Sequence, residues 1–383
     1  MIGSPISIGQ VSEVVPVAPR PGVWAPLVME RLLLRDDELQ AIAAEFAALA
    51  RSLPPPWQRL VGAELSQVES QLTYERFVGV TLRDLSGALR ASGRVLPIDV
   101  LRAVIENICA GLSALPIGRA VVLCDRSVGL SIDGQWRFAQ GALNHWLAYV
   151  APPELAADPE FDATSPDTIF HMSPEAFSAR PETPASLVTR AALMSWQVAT
   201  GGLHPYRGAR HELMASLTRY ARDEVRVPLS VHPELTSAIA EVLGRGISFS
   251  SHRFADLAAF QTALEPLWPG PAASPARTLE VIASCTWPTM QKELALLKRE
   301  PLLPIRWDGV WSAARTPEQG IAVLEDQLLE RLEPVDRFPS RGAFEEPREP
   351  PPSVVYASAP PAPTAPHRAG LLERFFALFR RPL

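Results

Sequence analysis

"LTYERFVGVTLRDL", residues 72–85, marks a change of register in the sequence. Ahead of it, apolar residues come in short β-rich runs; behind it, they recur at helical spacing. With the residues before it, "AELSQVESQLTYERFVG" (63–79) reads as a β-hairpin whose second strand ends at Gly79. Upstream, Val11, Val14, Val15 and Val17 lead into the turn "APRPG", and "VWAPLVMERLLL" resumes strand character, so residues 6–34 read as strands. Between these strands and the hairpin lies one long helix, "DDELQAIAAEFAALARSL" (36–53). Leu39, Ile42, Phe46, Leu49 and Leu53 recur there at steps of three and four, Asp36 and Asp37 suit the positive end, and Pro54–Pro56 stop it.

Downstream, helices dominate. In "LPIDVLRAVIENICAGLSAL" (96–115), Ile98, Leu101, Ile105, Ile108, Leu112 and Leu115 form one apolar stripe. A short strand pair follows, "AVVL" and "GLSIDGQWRF", with Asp133-Gly134 at the turn of a hairpin. "SLVTRAALMSWQVATG" (186–201) is apolar nearly all round, the pattern of a helix at the centre of a helical lobe. "ELTSAIAEVLGRG" and "FADLAAFQTALEPL" are amphipathic helices that close the lobe. The expected fold class is therefore α+β and bilobal: a small β-rich N-lobe with one long helix over residues 1–79, then a larger, mainly helical C-lobe over residues 80–269.

A C-terminal extension follows. Residues 270–333 read as a small module, in which "TPEQGIAVLEDQLLERLE" carries Thr316 as N-cap, Pro317 at the first helical position and Gln319 completing a capping box. Residues 334–366 hold ten prolines and little that packs, so they read as a disordered or polyproline II linker. Residues 367–383 regain helical periodicity through Leu371, Leu372, Phe375, Leu378 and Phe379. Arg368, Arg374, Arg380 and Arg381 make this helix a basic amphipath that docks on a protein partner, on the chain itself or on an anionic membrane surface.

Bulk properties exclude several classes. At 383 residues and 47% hydrophobic, the chain can bury one large core or two medium ones. A formal net charge of −6 offers no basic field, so no nucleic-acid partner is expected. Cys109, Cys124 and Cys285 lie far apart, which argues against a zinc site or a disulfide framework and for a reducing compartment. The N-terminus lacks a secretory pattern, and no apolar run is long enough to span a bilayer. A cytoplasmic protein is expected, peripheral to a membrane if the terminal helix binds one.

Several strings, in order, resemble bacterial eukaryotic-like serine/threonine protein kinases. "LTYERFVGVTLRDL" resembles their hinge and following helix, with Glu75 and Phe77 at the hinge; "HMSPEAF" resembles their Ala/Ser-Pro-Glu motif; "MSWQVATGGLHPYRG" resembles the end of their central helix and the turn beyond it, through Gly201, His204, Pro205 and Tyr206. The resemblance runs over about residues 6–268 and implies a protein-kinase-like bilobal fold. It also implies that Glu175 pairs with Arg253 to fix the large lobe.

The same resemblance sets the chemical positions, and the residues that phosphoryl transfer needs are missing from them. Ser7, Gly9 and Ser12 take the three glycine positions of the phosphate loop. Glu30 takes the lysine position, Val28 that of the alanine over the adenine, and Phe46 or Glu45 that of the helix glutamate. The catalytic loop falls on "VVLCDRSVGLSI": Asp125 or Cys124 takes the aspartate position and Gly129 the magnesium-binding asparagine. Ala139-Gln140-Gly141 takes the place of Asp-Phe-Gly, and Leu187 that of the aspartate that braces the loop. No catalytic residue and no metal ligand is thus expected, ATP is a weak expectation at most, and whether the chain is an enzyme stays open, with inactivity favoured. Cys124 reads as a small buried hydrophobe before it reads as a nucleophile. The implied function is a catalytically inactive pseudokinase domain, a protein-binding or regulatory scaffold in bacterial signalling whose partner is another signalling protein such as an active kinase. The alternative is an atypical serine/threonine kinase that binds ATP and transfers phosphate with displaced residues.

Overall fold

Five antiparallel strands form the first sheet, in the order β1-β2-β3-β5-β4: β1 is Ser7–Ile8, β2 Ser12–Val17, β3 Leu27–Leu32, β4 Leu60–Glu64 and β5 Gln71–Glu75. The register runs from Ser12↔Leu32 to Val17↔Leu27 between β2 and β3, and from Leu27↔Glu75 to Arg31↔Gln71 between β3 and β5. The computed structural model describes residues 7–8, 12–17, 27–32, 44, 47–48, 51–64, 71–75, 77–115, 125–138, 171, 173–177, 183–206, 228–248, 253–299 and 317–343. Of the long helix expected over 36–53, Ala44, Ala47, Ala48, Arg51 and Ser52 are described and helical; Ala47 is buried while Ala44 and Ala48 are exposed. The chain leaves the helix before Pro54, where the missing N–H forbids continuation.

One boundary expected from the sequence needs correction. The second hairpin strand ends at Glu75, and Gly79 opens another strand, β6 (Gly79–Thr81), in a different sheet. β6 pairs with β7 (Val128–Ser131), and β7 with β8 (Trp136–Phe138). Gly79 lies so close to β7 that a Cβ would stand 2.1 Å from the Leu130 carbonyl oxygen, a contact no side chain survives. Thr81 then caps α1 (Leu82–Ser92) through a reciprocal box: its Oγ1 accepts from the Asp84 N–H at 3.2 Å, and Asp84 Oδ2 accepts from the Thr81 N–H at 2.9 Å. Gly93, in the left-handed region at φ 65°, ends the helix.

The helical body is organised on α2 (Ile98–Ser113) and on α4 (Pro184–Ala199), which follows the one-turn α3 (Pro174–Phe177). Every residue of α4 from 186 to 199 is buried, as its all-round apolar pattern requires. α5 (Ser237–Ile247) and α6 (Leu257–Leu264) close over it, with Thr236 and Asp256 as side-chain caps at their starts.

The C-terminal helices pack on the helical body. α7 (Pro275–Arg299) and α8 (Pro317–Arg331) contribute Val281, Ile282, Met290, Leu294 and Leu328 to the same core that holds Leu85, Ile105, Ile108 and Met194. A kink falls at Thr286, two residues before Pro288, whose ring nitrogen has no hydrogen for the helix ladder; at the kink Thr286 Oγ1 donates to the Ile282 carbonyl at 2.6 Å. The expected linker also starts too early at 334. Residues 334–342 include a 3₁₀ turn, Val335–Arg337, and Phe338 is 3% exposed in the common core. A single large aromatic outweighs the two prolines that flank it. The remaining 344–366, and the terminal stretch with Leu371 and Phe379, lie outside the described residues. Among the described residues no helix is long and apolar enough to cross a membrane.

Candidate functional site

Of the positions that the resemblance singles out, Phe77, Asp125 and Gly129 lie on or beside the short sheet β6-β7-β8, and Glu75 lies next to the segment stitched to it. Ahead of β4, residues 54–59 run onto β8. Phe138 N–H donates to the Pro56 carbonyl at 3.1 Å, and Gln58 N–H donates back to the Phe138 carbonyl at 2.8 Å. Trp57 lies tilted on the Phe138 ring at 5.1 Å, and its Nε1–H donates to the Gly111 carbonyl of α2 at 3.0 Å. Gly111 makes this possible, because a Cβ there would stand 2.0 Å from the Phe138 ring.

That stitch reaches the hinge. Gln58, 7% exposed, donates through Nε2 to the Glu75 carbonyl, and the Glu75 N–H donates to the Arg59 carbonyl at 3.0 Å. Both backbone groups of Glu75 are thereby taken by the chain itself, while its carboxylate faces Arg59 at 3.4 Å on the surface. Phe77, the other hinge residue, folds over β7. At Gly129 a Cβ would meet the Val80 carbonyl oxygen at 2.5 Å and the Phe77 ring at 2.6 Å. The side-chain position is filled by these neighbours.

Asp125 begins the turn into β7 and is 5% exposed. Its backbone carbonyl accepts from the Arg83 N–H at 3.1 Å, which ties the turn to the start of α1. Its side chain points toward α4: Gln197 Nε2 donates to Oδ2 at 3.1 Å, and Oδ1 has no hydrogen-bond partner among the described residues. Gln197 also sets Oε1 3.0 Å from His171 Nε2, so this ring nitrogen carries the hydrogen. His171 packs edge-on to His204 at 5.4 Å. Sequence reasoning singled out Asp125 and passed over Gln197, one of several polar residues buried on α4.

Glu175 and Arg253 form an ion pair. Arg253 Nη1 donates to Glu175 Oε2 at 3.2 Å and to Thr189 Oγ1 at 3.1 Å, while Nη2 pairs with Oε1; the side chains are 16% and 13% exposed. Ser186 Oγ adds a bond to Oε2 at 2.8 Å. Burial alone would raise the Glu175 pKa, but the hydrogen bonds and charge of Arg253, helped by Ser186, hold it below its ordinary value. Leu187, in the position of a bracing aspartate, is buried at the start of α4.

The other chemical candidates divide clearly. Cys109 and Cys285 are desolvated, with Glu106 adding to the effect at Cys109, and their pKa values are pushed up to about 12, which keeps both as neutral thiols. Glu30 sits in the middle of β3, paired with Val14 on one side and Leu72 on the other; Ser7 and Ser12 lie in β1 and β2. Gly9, Cys124, Ala139, Gln140 and Gly141 lie outside the described residues. Among the described residues no group of three or more His, Cys, Asp or Glu side chains is arranged to hold a metal ion.

No protein-family model matches this chain, and no curated protein does. Among solved structures, the PknI kinase domain of Mycobacterium tuberculosis, in a single-mutant form, is similar at 16% identity and a TM-score of 0.47, over 70% of this chain and 94% of that one. The double-mutant form gives 16% identity, a TM-score of 0.48 and the same coverage. The likeness concerns the overall fold, and no residue here takes a role from it.

Proposed function

We propose that the chain is a protein-kinase-like body that does not transfer phosphate and acts as a protein-binding or regulatory scaffold. The observation that carries this reading is Gly129. The resemblance puts a magnesium-binding asparagine there, and the Val80 carbonyl and the Phe77 ring occupy the space any side chain would need. A metal ligand is thus absent from the sequence and has no room in the packing. Two further features support the reading. Asp125, the one carboxylate left in the catalytic-loop segment, is buried and bonded to Gln197 rather than presented to solvent. The Glu75 backbone, on the hinge where a base would bond, is occupied by Gln58 and Arg59. The lysine and the metal ligands that offset a triphosphate's charge in the family have no counterpart at the matching positions of this sequence.

The kept features belong to scaffolding. The Glu175–Arg253 pair, the buried α4 and the Thr200-Gly201-Gly202 turn hold a rigid helical lobe. A rigid lobe with an inert cleft fits recognition of another signalling protein, an active kinase included. The test uses purified full-length protein, labelled ATP and Mg²⁺ or Mn²⁺. No label on the protein or on a generic acceptor is expected, and no rise of melting temperature in saturating nucleotide. Phosphate transfer that disappears in Asp125→Ala would overturn the reading in favour of an atypical kinase.

A further inference from the structure

The segment that closes the described chain lies in a slot between two body segments. On one side, Val95 N–H donates to the Pro339 carbonyl at 3.0 Å and Arg341 N–H to the Gly93 carbonyl at 2.9 Å, around an antiparallel bridge between Arg94 and Ser340. On the other side, Gly342 N–H donates to the Val231 carbonyl at 2.7 Å. Arg94 clamps the segment from below: Nη1 donates to the Phe338 carbonyl at 2.9 Å and to Ser340 Oγ at 2.8 Å, and Nη2 lies 3.5 Å from Asp336. Phe338 plugs the core beneath.

The two walls of the slot, residues 93–96 and 229–235, are tied to each other by a histidine. His232, 1% exposed, donates from Nε2 to the Leu96 carbonyl at 3.0 Å, while its Nδ1 accepts from the Glu234 N–H at 3.2 Å. One nitrogen donates and the other accepts, so the ring stands in its neutral form with a fixed tautomer. A second proton would have to sit on Nδ1, facing the Glu234 N–H donor to donor.

We propose that residues 334–342 are a proton-operated latch: protonation of His232 parts the two walls and releases this strap, which carries the chain onward to its proline-rich and basic segments. This stands apart from the nucleotide question above.

The surrounding charges do not supply an alternative partner for a second proton. Glu234 is the nearest carboxylate, and its Oε2 accepts from the Ile98 N–H at 3.0 Å, capping α2 where Pro97 offers no side-chain cap. From the other packed segments, Arg94 turns to the strap, Arg341 Nη1 donates to the Gly201 carbonyl at 3.3 Å, Asp336 faces Arg94, and Asp99 lies in the first turn of α2. Burial holds the His232 pKa below its ordinary value, against the opposing pull of the Leu96 carbonyl and Glu234. The sign follows: with the strap released and the walls parted, His232 binds the proton more readily, so the latch is at full strength above about pH 6.5 and weakens as pH falls below it.

Hydrogen exchange read by mass spectrometry on the full chain, at about pH 7.5 and about pH 5.5 after correction for intrinsic rates, tests the latch. At the lower pH, protection over 335–342 and 93–96 should drop together severalfold, by about tenfold at most for one histidine of ordinary pKa in the released state, with α4 unchanged. His232→Gln keeps an N–H toward Leu96 and cannot charge, so its strap should stay protected at both pH values. Phe338→Ala should lose strap protection at both, with α4 again intact. Strap protection that does not respond to acid overturns the proposal, as does loss that persists in His232→Gln or that spreads equally to α4. If His232→Gln does not fold, the wild-type comparison of strap with α4 still decides.

Discussion

At Gly129 and at Glu175 the consequences of single atoms can be stated in advance. A methyl group at Gly129 has to displace a backbone oxygen at 2.5 Å and a ring carbon at 2.6 Å, so Gly129→Ala should cost about 1–3 kcal/mol as overpacking. Gly129→Asn should cost no less, and urea titration reads both; a neutral Gly129→Asn would mean the site has room for a ligand after all. Glu175→Gln removes the charge that partners Arg253 in a mostly buried pair, and an uncompensated guanidinium there should cost about 3 kcal/mol. The carboxyl of Glu175 is held below its ordinary pKa, so its contribution is complete above the unfolded value, near pH 4.5, and fades as pH drops through the lower folded value. The gap between wild type and Glu175→Gln should therefore be widest near neutral pH and narrow below about pH 4. A gap independent of pH would mean that the pair contributes through packing alone. This pair was expected only through the resemblance carried by "HMSPEAF"; charge alone does not join two residues 78 positions apart. Gly129 was legible as a missing ligand, but the ring that fills its place was not, since nothing in "ERFVG" says where Phe77 turns.

Among the elements, the strands and amphipathic helices follow their periodicity, while the joints between them were the least readable. α4 is the clearest success: a run with no polar face has to be buried on every side, and it is. Gly79 shows the opposite case. A glycine at the end of an apolar run reads as a stop, yet it opens β6 because only a residue without Cβ can approach β7 so closely. The stitch at residues 54–59 was also invisible, as a Pro-rich turn announces no partner some eighty residues away. Its weight is measurable at Trp57, which joins β8 to α2. Trp57→Phe keeps a ring beside Phe138 but strips the donor from the Gly111 carbonyl, for a cost of about 1 kcal/mol or a little more. Trp57→Ala empties the space as well and should cost about 3–5 kcal/mol. Denaturant midpoints separate the two. Equal losses would place the whole contribution in the hydrogen bond, against the packing of Trp57 at 4% exposure.

For the whole molecule, the sequence divided the chain where composition changes, and the core does not respect that division. Prolines at 269, 271, 275 and 288 look like the start of a new unit, but Pro275 opens α7, Pro288 follows its kink, Pro269 and Pro271 lie in the short connection before it, and the apolar face of α7 is spent on α1 and α2. Residues far apart in sequence share one interior: Leu89, Ile108, Met194, Met290, Leu294 and Phe338 are all within it. A shared interior has a thermodynamic consequence, because elements that bury one another's surface unfold together. The region from Pro275 to Phe338 should therefore melt with the helical body in a single calorimetric transition. Leu294, fully buried on α7, reports on this directly. Leu294→Ala should cost about 2–5 kcal/mol and lower the common transition by about 2–4 °C for each of them. Were the C-terminal helices an independent module, the same substitution would split off a small early transition and leave the main one in place. Scanning calorimetry of wild type and Leu294→Ala, with the area under the main peak compared between them, distinguishes one core from two.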